Sequence, residues 1–297
     1  MIVIKDQDPI YLEHQIDIKL DYLNHKYISG NKYRKLKYNL LEAKGLGFTK
    51  ILTFGGAYSN HIAAVAAAGK EFGFDTIGII RGEELVDKIE SNSTLSFAKD
   101  QGMLFHFISR NVYREKTSAT FLNDLKSRFG SFYLIPEGGT NSLAIKGCEE
   151  ILRLEDSKYD YICCAVGTGG TISGLINSSQ SHQHILGFPA LKGDFLREDI
   201  RKFAHQENWS LITDYHFGGY GKIKPELIAF INQFKNRYHI PLDPIYTGKM
   251  MYGIFDLMDK GFFAEGSQIL AIHTGGLQGI SGVNKLLKRK NQPLIDI

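Results

Sequence analysis

The feature that most constrains the fold of this chain is a regular alternation of apolar, β-branched-rich runs with segments of helical periodicity. Eight runs are predicted to be strands: 50–54, 75–80, 104–108, 132–135, 160–166, 184–189, 210–215 and 268–273. Helical patterns between them include 60–72, 92–101, 115–128 and 141–154. Such alternation is typical of parallel sheets with helices on both faces. The sequence predicts an α/β fold with two open twisted sheets, the first four strands in one and the later four in the other.

Composition sets the broad class of protein. With 297 residues, 43% hydrophobic and 23% charged, the chain is expected to be globular, with one or two domains. A net charge of +3 gives no reason to expect nucleic acid, and no apolar run approaches the roughly 20 residues that span a bilayer. Cys148, Cys163 and Cys164 suggest neither a disulfide framework nor a metal site, and no secretory signal precedes them. We therefore expect a cytoplasmic protein without metal.

Residues 30–35 combine a predicted helix start with three cations. Asn31 is predicted to be the N-cap, which would place Lys32 in the first turn. There the helix dipole and the neighbouring Arg34 and Lys35 would lower the pKa of Lys32, as reaction with an aldehyde requires. Lys32 and Lys35 are three residues apart, so both can face one ligand. The alternative is a basic, exposed start of a helix.

A glycine-rich turn follows the predicted strand 160–166 and precedes a helical stretch. It consists of Gly167, Thr168, Gly169, Gly170 and Thr171. Glycines let backbone N–H groups converge on an anion, threonine hydroxyls add donors, and the helix start adds positive potential. The turn lacks both the Walker ending and the dinucleotide spacing, so a single phosphate monoester is favoured. The alternative is a tight turn without a ligand.

Three further polar positions follow strands or open helices. Ser59, Asn60 and His61 stand at a helix start, where they could bind a carboxylate or a cofactor ring, although Ser59 also fits a simple N-cap. Tyr246 opens a methionine-rich helix and is a candidate phenol for proton transfer or stacking. Thr274 follows the run 268–273 and is well placed to meet a heterocycle nitrogen.

Most of these segments fall beyond the carboxyl ends of predicted strands, where open α/β sheets bind ligands. Together they describe one aldehyde-reactive lysine, one anion site and one polar pocket. The residues therefore predict a pyridoxal-phosphate enzyme acting on a small amino acid. A nucleotide-binding enzyme is disfavoured, because the dinucleotide fingerprint is absent from the sequence.

The same segments resemble the D-cysteine desulfhydrase / 1-aminocyclopropane-1-carboxylate deaminase family, within the fold type II (tryptophan-synthase-β-like) pyridoxal-phosphate enzymes. The resemblance runs from about Ile16 to Gly279 and is carried by residues 30–36, 59–61, 243–249 and 272–276. It implies a large cofactor-binding domain of residues 1–36 plus 141–297. It also implies a smaller mobile domain of residues 37–140, a cofactor in the interdomain cleft, and a homodimer.

The resemblance also implies a role for each candidate residue. Lys32 would bond to the cofactor aldehyde and then move the α-proton, while Lys35 and the turn 167–171 would hold the phosphate. Asn60 would contact the phenolic oxygen of the cofactor, and Thr274 the pyridine nitrogen. Ser59 would hold the substrate carboxylate or assist proton transfer, and Tyr246 would lie over the side-chain carbon. His61 would complete the substrate pocket.

Some residues depart from the family pattern and bear on the substrate. Ala271 stands where the cyclopropane deaminases carry a tyrosine, and Tyr58, Ala63 and Ala64 alter the surroundings of Ser59. A neutral hydroxyl at the pyridine nitrogen would favour elimination at the β-carbon. We expect α,β-elimination from D-cysteine, giving 2-oxo acid, ammonia and sulfide. Deamination of aminocyclopropane carboxylate, a D-serine-type dehydratase, a racemase and an inactive ligand-binding descendant are the alternatives.

Overall fold

The computed structural model describes residues 2, 4, 6–193 and 195–296. The strands are β1 (Ile10–Glu13), β2 (Ile16–Lys19), β3 (Lys50–Gly55), β4 (Asp75–Arg81), β5 (Leu104–Ile108), β6 (Tyr133–Ile135), β7 (Tyr161–Val166), β8 (His184–Pro189), β9 (Trp209–Leu211) and β10 (Ile269–Ile272). The helices are α1 (Asn31–Gly45), α2 (Asn60–Phe72), α3 (Ser93–Asp100), α4 (Arg110–Arg114), α5 (Ala119–Phe129), α6 (Ser142–Glu149), α7 (Gly170–Ser178), α8 (Phe195–Arg201), α9 (Pro225–Tyr238), α10 (Thr247–Asp259) and α11 (Ile280–Arg289). The predicted α/β fold is confirmed.

The strands form two sheets that divide as the sequence predicts. The smaller sheet has the order β5-β4-β3-β6, with every pair parallel. The larger has the order β1-β2-β10-β7-β8-β9, parallel except for the antiparallel pair β1 and β2. The eight strands predicted from the sequence do not include β1 and β2, which are only four residues long and join the larger sheet. The division into domains at 36/37 and 140/141 stays a prediction.

Three predicted elements have different limits in the structure. The helix expected over 115–128 corresponds to α5 and begins only at Ala119, because Ser118 caps it by accepting a hydrogen bond from the N–H of Phe121 at 3.3 Å. The helix expected over 141–154 ends at Glu149, and the strand expected over 210–215 shortens to β9. Element ends depend on local caps and pairing, which periodicity does not reveal.

One predicted helix cap is confirmed and one is wrong. Ser59 caps α2, since its Oγ accepts from the N–H of Ile62 at 3.3 Å. Asn31 is not the N-cap of α1: Gly30 is, with φ of 63°. A Cβ at Gly30 would lie 2.1 Å from the carbonyl oxygen of Thr274, so the close approach of α1 to the turn after β10 requires glycine. Asn31 instead donates through its side chain to Thr171 Oγ1 at 2.8 Å.

Both sheets are covered on both faces, so successive strand residues enter different hydrophobic cores. Cys163 packs with α9 and α10 on one face of the larger sheet, and Cys164 packs with α7 on the other. Both thiols are free and buried. Among the described residues, no helix is long and apolar enough to cross a membrane. That part of the chain also contains no cluster of three metal-ligating side chains.

Candidate active site

A cavity of about 1170 Å³ opens between the carboxyl ends of the two sheets. The turns after β3, β7 and β10 and the start of α1 all line it, which brings the four predicted segments together. The predicted residues in its wall are Lys32, Lys35, Ser59, Asn60, His61, Gly167, Thr168, Gly169, Thr171, Tyr246 and Thr274. Gly170 lies directly behind this wall, against Lys35. The tertiary structure therefore converges the sequence segments on one site.

The side-chain amine of Lys32 has a lowered pKa and no carboxylate partner among the described residues. Its nearest polar partner is the amide oxygen Oδ1 of Asn31 at 3.4 Å, and it forms no ion pair with a described carboxylate. Removal from bulk water, reinforced by the charge of Lys35, lowers the pKa of the Lys32 amine to about 7. A large fraction of this amine is neutral near pH 7, which makes it a nucleophile toward an aldehyde.

Arg34 does not contribute to the lowered pKa of Lys32, contrary to the expectation from the sequence. Its side chain points to the opposite side of α1, where Nε donates to Asp21 Oδ1 at 2.7 Å and Nη2 donates to Asp6 Oδ1 at 2.6 Å. The two carboxylates compensate its charge. Residues two apart on a helix face nearly opposite directions, so adjacency in sequence was misleading here.

Lys35 lies at the centre of an anion site. Its Nζ donates to the carbonyl oxygen of Gly138 at 3.3 Å and to Thr140 Oγ1 at 3.2 Å. Thr140 Oγ1 in turn lies 2.6 Å from Thr168 Oγ1. The first residue of α7, Gly170, is so close that an added Cβ would come within 2.9 Å of Lys35 Nζ. One ammonium, two hydroxyls and a helix start thus converge without a carboxylate, which is a donor set for an anion.

The segment 137–140 was missed by sequence reasoning, although a signal was present. The pair Gly138-Gly139 followed by Thr140 comes directly after the predicted strand 132–135, as the turn 167–171 follows its own strand. The two turns follow strands of different sheets and meet through the hydroxyl contact between Thr140 and Thr168. Either turn alone supplies half of the anion site.

His61 lines the cavity, but its side chain is almost completely buried. Thr53 Oγ1 donates its proton to the carbonyl oxygen of Ile135 at 2.8 Å, so it must accept from His61 Nε2, also at 2.8 Å. This fixes the neutral tautomer with Nδ1 as an acceptor. Burial, with added repulsion from Lys32, lowers the pKa of His61 well below its usual value. Nδ1 is buried without a partner among the described residues, next to Gly139.

Ser59 and Asn60 lie at the start of α2. The Ser59 oxygen caps the helix, which leaves its proton available to the cavity. Asn60 Oδ1 accepts from Gln278 Nε2 at 3.1 Å, which joins the start of α2 to the segment after β10. The amide groups at this helix start and the Ser59 hydroxyl together suit a substrate carboxylate.

Tyr246 is placed by the turn that precedes α10. Asp243 accepts from the backbone N–H groups of Ile245, Tyr246 and Thr247 at 2.8–3.0 Å, which orders this turn. The phenol lies against Gly167, where an added Cβ would be 3.1 Å from the Tyr246 ring. Burial raises the pKa of Tyr246 well above its usual value, so the phenol stays protonated at neutral pH.

Tyr220 also lines the cavity and was missed by sequence reasoning. Its ring centroid lies 6.2 Å from that of Tyr246. Lys249 positions the loop that carries it, because Nζ donates to the carbonyl oxygens of His216 and Gly219, each at 2.9 Å. Burial lowers the pKa of Lys249 to about 8. The loop has no periodic pattern, so the sequence offered no signal for this contact.

Thr274 presents a neutral hydroxyl at the cavity wall. The turn that carries it is fixed by His273, whose Nε2 donates to the carbonyl oxygen of Pro241 at 2.7 Å and whose Nδ1 accepts from the N–H of Gly275 at 3.2 Å. Thr274 is 8% exposed. Ala271, by contrast, is buried inside β10 and packs in the core of the larger sheet.

This donor set fits pyridoxal phosphate. The cofactor needs a neutral amine for its aldehyde, an anion site for its phosphate and polar groups around its ring. Lys32 would supply the first, Lys35 with the turn 167–171 the second, and Asn60 and Thr274 the third. The Lys35 side chain, buried without a carboxylate, is otherwise costly, and a bound anion would compensate it.

Fold and site together define an α/β enzyme that holds a phosphorylated aldehyde cofactor through a lysine between two sheets. Comparison with known proteins agrees. The chain belongs to the pyridoxal-phosphate dependent enzyme family, whose model matches residues 11–275. The predicted class of enzyme and its cofactor are therefore confirmed.

Named relatives place the chain more closely within that family. It is 34% identical to a putative 1-aminocyclopropane-1-carboxylate deaminase of Pyrococcus horikoshii, over 88% of this chain and 84% of the relative. It is 31% identical to the mitochondrial bifunctional D-cysteine desulfhydrase/1-aminocyclopropane-1-carboxylate deaminase of Arabidopsis thaliana, over 89% of this chain and 72% of the relative. The predicted family is confirmed.

Solved structures support the fold. A homologue of the deaminase superposes with a TM-score of 0.78 at 30% identity, covering 92% of this chain and 88% of the other. A hydrogen sulfide-producing enzyme of Fusobacterium nucleatum superposes with a TM-score of 0.67 at 16% identity, covering 93% and 95%. The second likeness concerns the fold alone.

Proposed function

We propose that this enzyme catalyses α,β-elimination from a small amino acid, with D-cysteine as the leading substrate. One water is consumed, and the products are pyruvate, ammonia and hydrogen sulfide. Pyridoxal phosphate, bound through its aldehyde to Lys32, would supply an electron sink that makes the α-proton acidic. The chain's own residues then decide where protons are held and which bond breaks.

The observation that supports this reaction is a base and an acid lining one cavity. The Lys32 amine, with its pKa lowered to about 7, can accept the α-proton of a bound amino acid once substrate has displaced it. The Tyr246 phenol keeps its proton, because burial raises its pKa, and can protonate a departing sulfur. Elimination needs both transfers, and racemisation does not need the second.

The remaining groups orient the substrate. Ser59 and the start of α2 would hold the α-carboxylate, with His61 supporting that wall from behind. Thr274 would face the ring nitrogen as a neutral group, which limits delocalisation and favours loss of the β-substituent. Lys35 and the two threonines of the anion site, Thr140 and Thr168, would anchor the phosphate away from the reacting carbons.

Deamination of 1-aminocyclopropane-1-carboxylate is the second candidate, favoured by the names of several relatives. The Arabidopsis relative is named for both activities. Ala271 weakens this candidate, because it puts a buried methyl group at a position where the family resemblance expects a tyrosine. Ring opening would release 2-oxobutanoate and ammonia, which distinguishes it from elimination.

A substrate panel tests the assignment. The holoenzyme is incubated with both enantiomers of cysteine and serine and with aminocyclopropane carboxylate, and 2-oxo acid, ammonia and sulfide are measured. We expect pyruvate and sulfide from D-cysteine in equal amounts. Racemisation without keto-acid release would contradict the lyase assignment, and 2-oxobutanoate as the main product would establish the second candidate. Tyr246→Phe should slow sulfide release more than exchange of the α-proton with solvent.

We further propose a homodimer in the cytoplasm and a small domain, residues 37–140, that closes on substrate. The family resemblance supports the dimer and the closure, and three free buried thiols suit a reducing compartment. Light scattering tests the dimer, cell fractionation the compartment, and hydrogen exchange with and without substrate the closure. A monomer, or exchange unaffected by substrate, would contradict the corresponding statement.

A further inference from the structure

Arg81 is a charged side chain in the cavity to which the proposed reaction gives no role. It is the last residue of β4, beside the carboxyl end of β3, and it lines the same cavity as Lys32. Its side chain is exposed toward that space. Among the carboxylates of the described residues, none forms an ion pair with it; Glu137, in the same wall, instead pairs with Lys116 at 3.2 Å.

The guanidinium is held in a defined place. It lies 5.5 Å from the centre of the Tyr113 ring, in a cation–π arrangement. A Cβ added to Gly56 would lie 3.5 Å from Arg81 Nη2, so the side chain packs against the turn that leads to Ser59. Arg81 thus offers a fork of N–H donors, without an ion-pair partner among the described residues, next to the turn that leads to α2.

Arg81 also lies toward the phenol side of the cavity. Burial raises the pKa of the Tyr220 phenol, and the nearby charge of Arg81 opposes part of that rise. A substrate with its α-carboxylate at the start of α2 would extend its side chain toward Tyr246 and Tyr220, past this guanidinium. The cavity, at about 1170 Å³, exceeds the usual range of ligand pockets, roughly 300–1000 Å³, and so leaves room beside the cofactor.

We propose that the site accepts, besides D-cysteine, small amino acids with a second anionic group on or beyond the β-carbon, and that Arg81 binds that group. The proposal rests on the proposed function, since it takes the substrate to be an amino acid. Carboxylate, sulfonate and phosphate ester all suit the planar fork of a guanidinium. A β-sulfonate would leave as sulfite and a phosphate ester as phosphate, each with the electron pair of its bond to the β-carbon. Water would then give pyruvate and ammonia. A β-carboxylate cannot leave in this way, so aspartate should bind without elimination.

Aspartate and asparagine provide a matched pair of probes, because they differ in charge and hardly in shape. Each enantiomer is titrated into the holoenzyme while the absorption of the bound cofactor is followed. We expect aspartate of the preferred enantiomer to bind about tenfold or more tightly than asparagine, because a charge-assisted pair is added. Arg81→Gln should abolish this preference while changing asparagine affinity less than about twofold, and salt should weaken the preference in the wild type.

Two variants serve as controls for the loss of one positive charge. Arg110 is an exposed arginine outside the cavity, 2.8 Å from Glu84, and Arg110→Gln should leave both affinities unchanged. Lys26 is another exposed cation in the cavity wall. If Lys26→Gln removes the preference for aspartate and Arg81→Gln does not, the assignment to Arg81 is wrong.

The remaining outcomes also decide the question. Equal loss of aspartate and asparagine affinity in Arg81→Gln would assign Arg81 to the α-carboxylate and overturn the proposal. No loss for either ligand would leave Arg81 a solvated cation, and a wild-type holoenzyme that binds both ligands equally would overturn the proposal as well. A protein that takes up no pyridoxal phosphate would instead overturn the proposed function.

Discussion

The first turns of α1 carry basic side chains that the protein surrounds in opposite ways. Arg34 meets two carboxylates, those of Asp21 and Asp6, within 2.7 Å. Lys32 and Lys35, on the other side of the helix, meet amide, carbonyl and hydroxyl oxygens only. The first arrangement is compensated within the protein, and the second is completed only by a ligand.

This difference separates stability from function within four residues of one helix. A compensated buried charge becomes costly when its partner is removed. An uncompensated buried amine is a cost in the empty protein, and its lowered pKa expresses that cost. Replacing Lys32 or Lys35 should therefore affect activity or cofactor binding, whereas replacing Arg34 should affect stability.

Replacing Lys32 should have the largest effect on activity. Lys32→Met keeps most of the side-chain volume and removes the amine, so we expect activity to fall by at least about a thousandfold and the absorption of lysine-bound cofactor to disappear. The free energy of unfolding of the cofactor-free protein should not decrease. Lys37→Met is the matched control, because Lys37 lies on the same helix and pairs with Glu150 at 2.7 Å. A variant that retains the absorption band would contradict the assignment of Lys32.

Replacing Arg34 should have the largest effect on stability. Arg34→Met leaves Asp21 buried without its cation, and we expect the free energy of unfolding to fall by about 3–5 kcal/mol. Urea unfolding of the cofactor-free protein measures this. Adding Asp21→Asn should restore part of the loss, because the two residues form one pair. Additive losses in the double variant would show that the pair is not the cause.

Replacing Lys35 should weaken cofactor binding without removing its covalent link. Lys35→Met is expected to lower the affinity for pyridoxal phosphate by about 10–100-fold, the range of a charge-assisted hydrogen bond of roughly 1.5–3 kcal/mol. At saturating cofactor the absorption band should return. Affinity for pyridoxal, which lacks the phosphate, should hardly change. If pyridoxal binding falls equally, Lys35 does not act on the phosphate.

The pH dependence of cofactor uptake should show the smallest but most specific effect. The neutral Lys32 amine reacts with the aldehyde, so the uptake rate should rise with pH up to about 7 and level off above it, following the lowered pKa of Lys32. Stopped-flow measurement with pyridoxal avoids the titration of the phosphate. A rate that keeps rising steeply toward pH 10 would mean that the amine has the pKa of an ordinary lysine.

Local sequence accounts for much of the fold. The central strands appear as short continuous apolar runs, because both sheets are buried on both faces, and the helices repeat with a period of about 3.6 residues. The glycine-rich turn 167–171 and the polar turn before α2 could also be predicted, because each directly follows a strand. The start of α5 was not predicted, because Ser118 creates a helix start inside an apparently continuous pattern.

What the sequence by itself determined is the alternation of elements and the residue types available at the ends of the strands. Only the tertiary structure decided that Gly30 rather than Asn31 is the N-cap of α1 and that two carboxylates compensate the charge of Arg34. It also decided that the segment 137–140 completes the anion site. Each of these depends on a contact between positions far apart in the chain, such as Lys35 with Thr140 or Gly30 with Thr274. Local periodicity carries no record of such contacts, because they arise when separate elements pack together and exclude water.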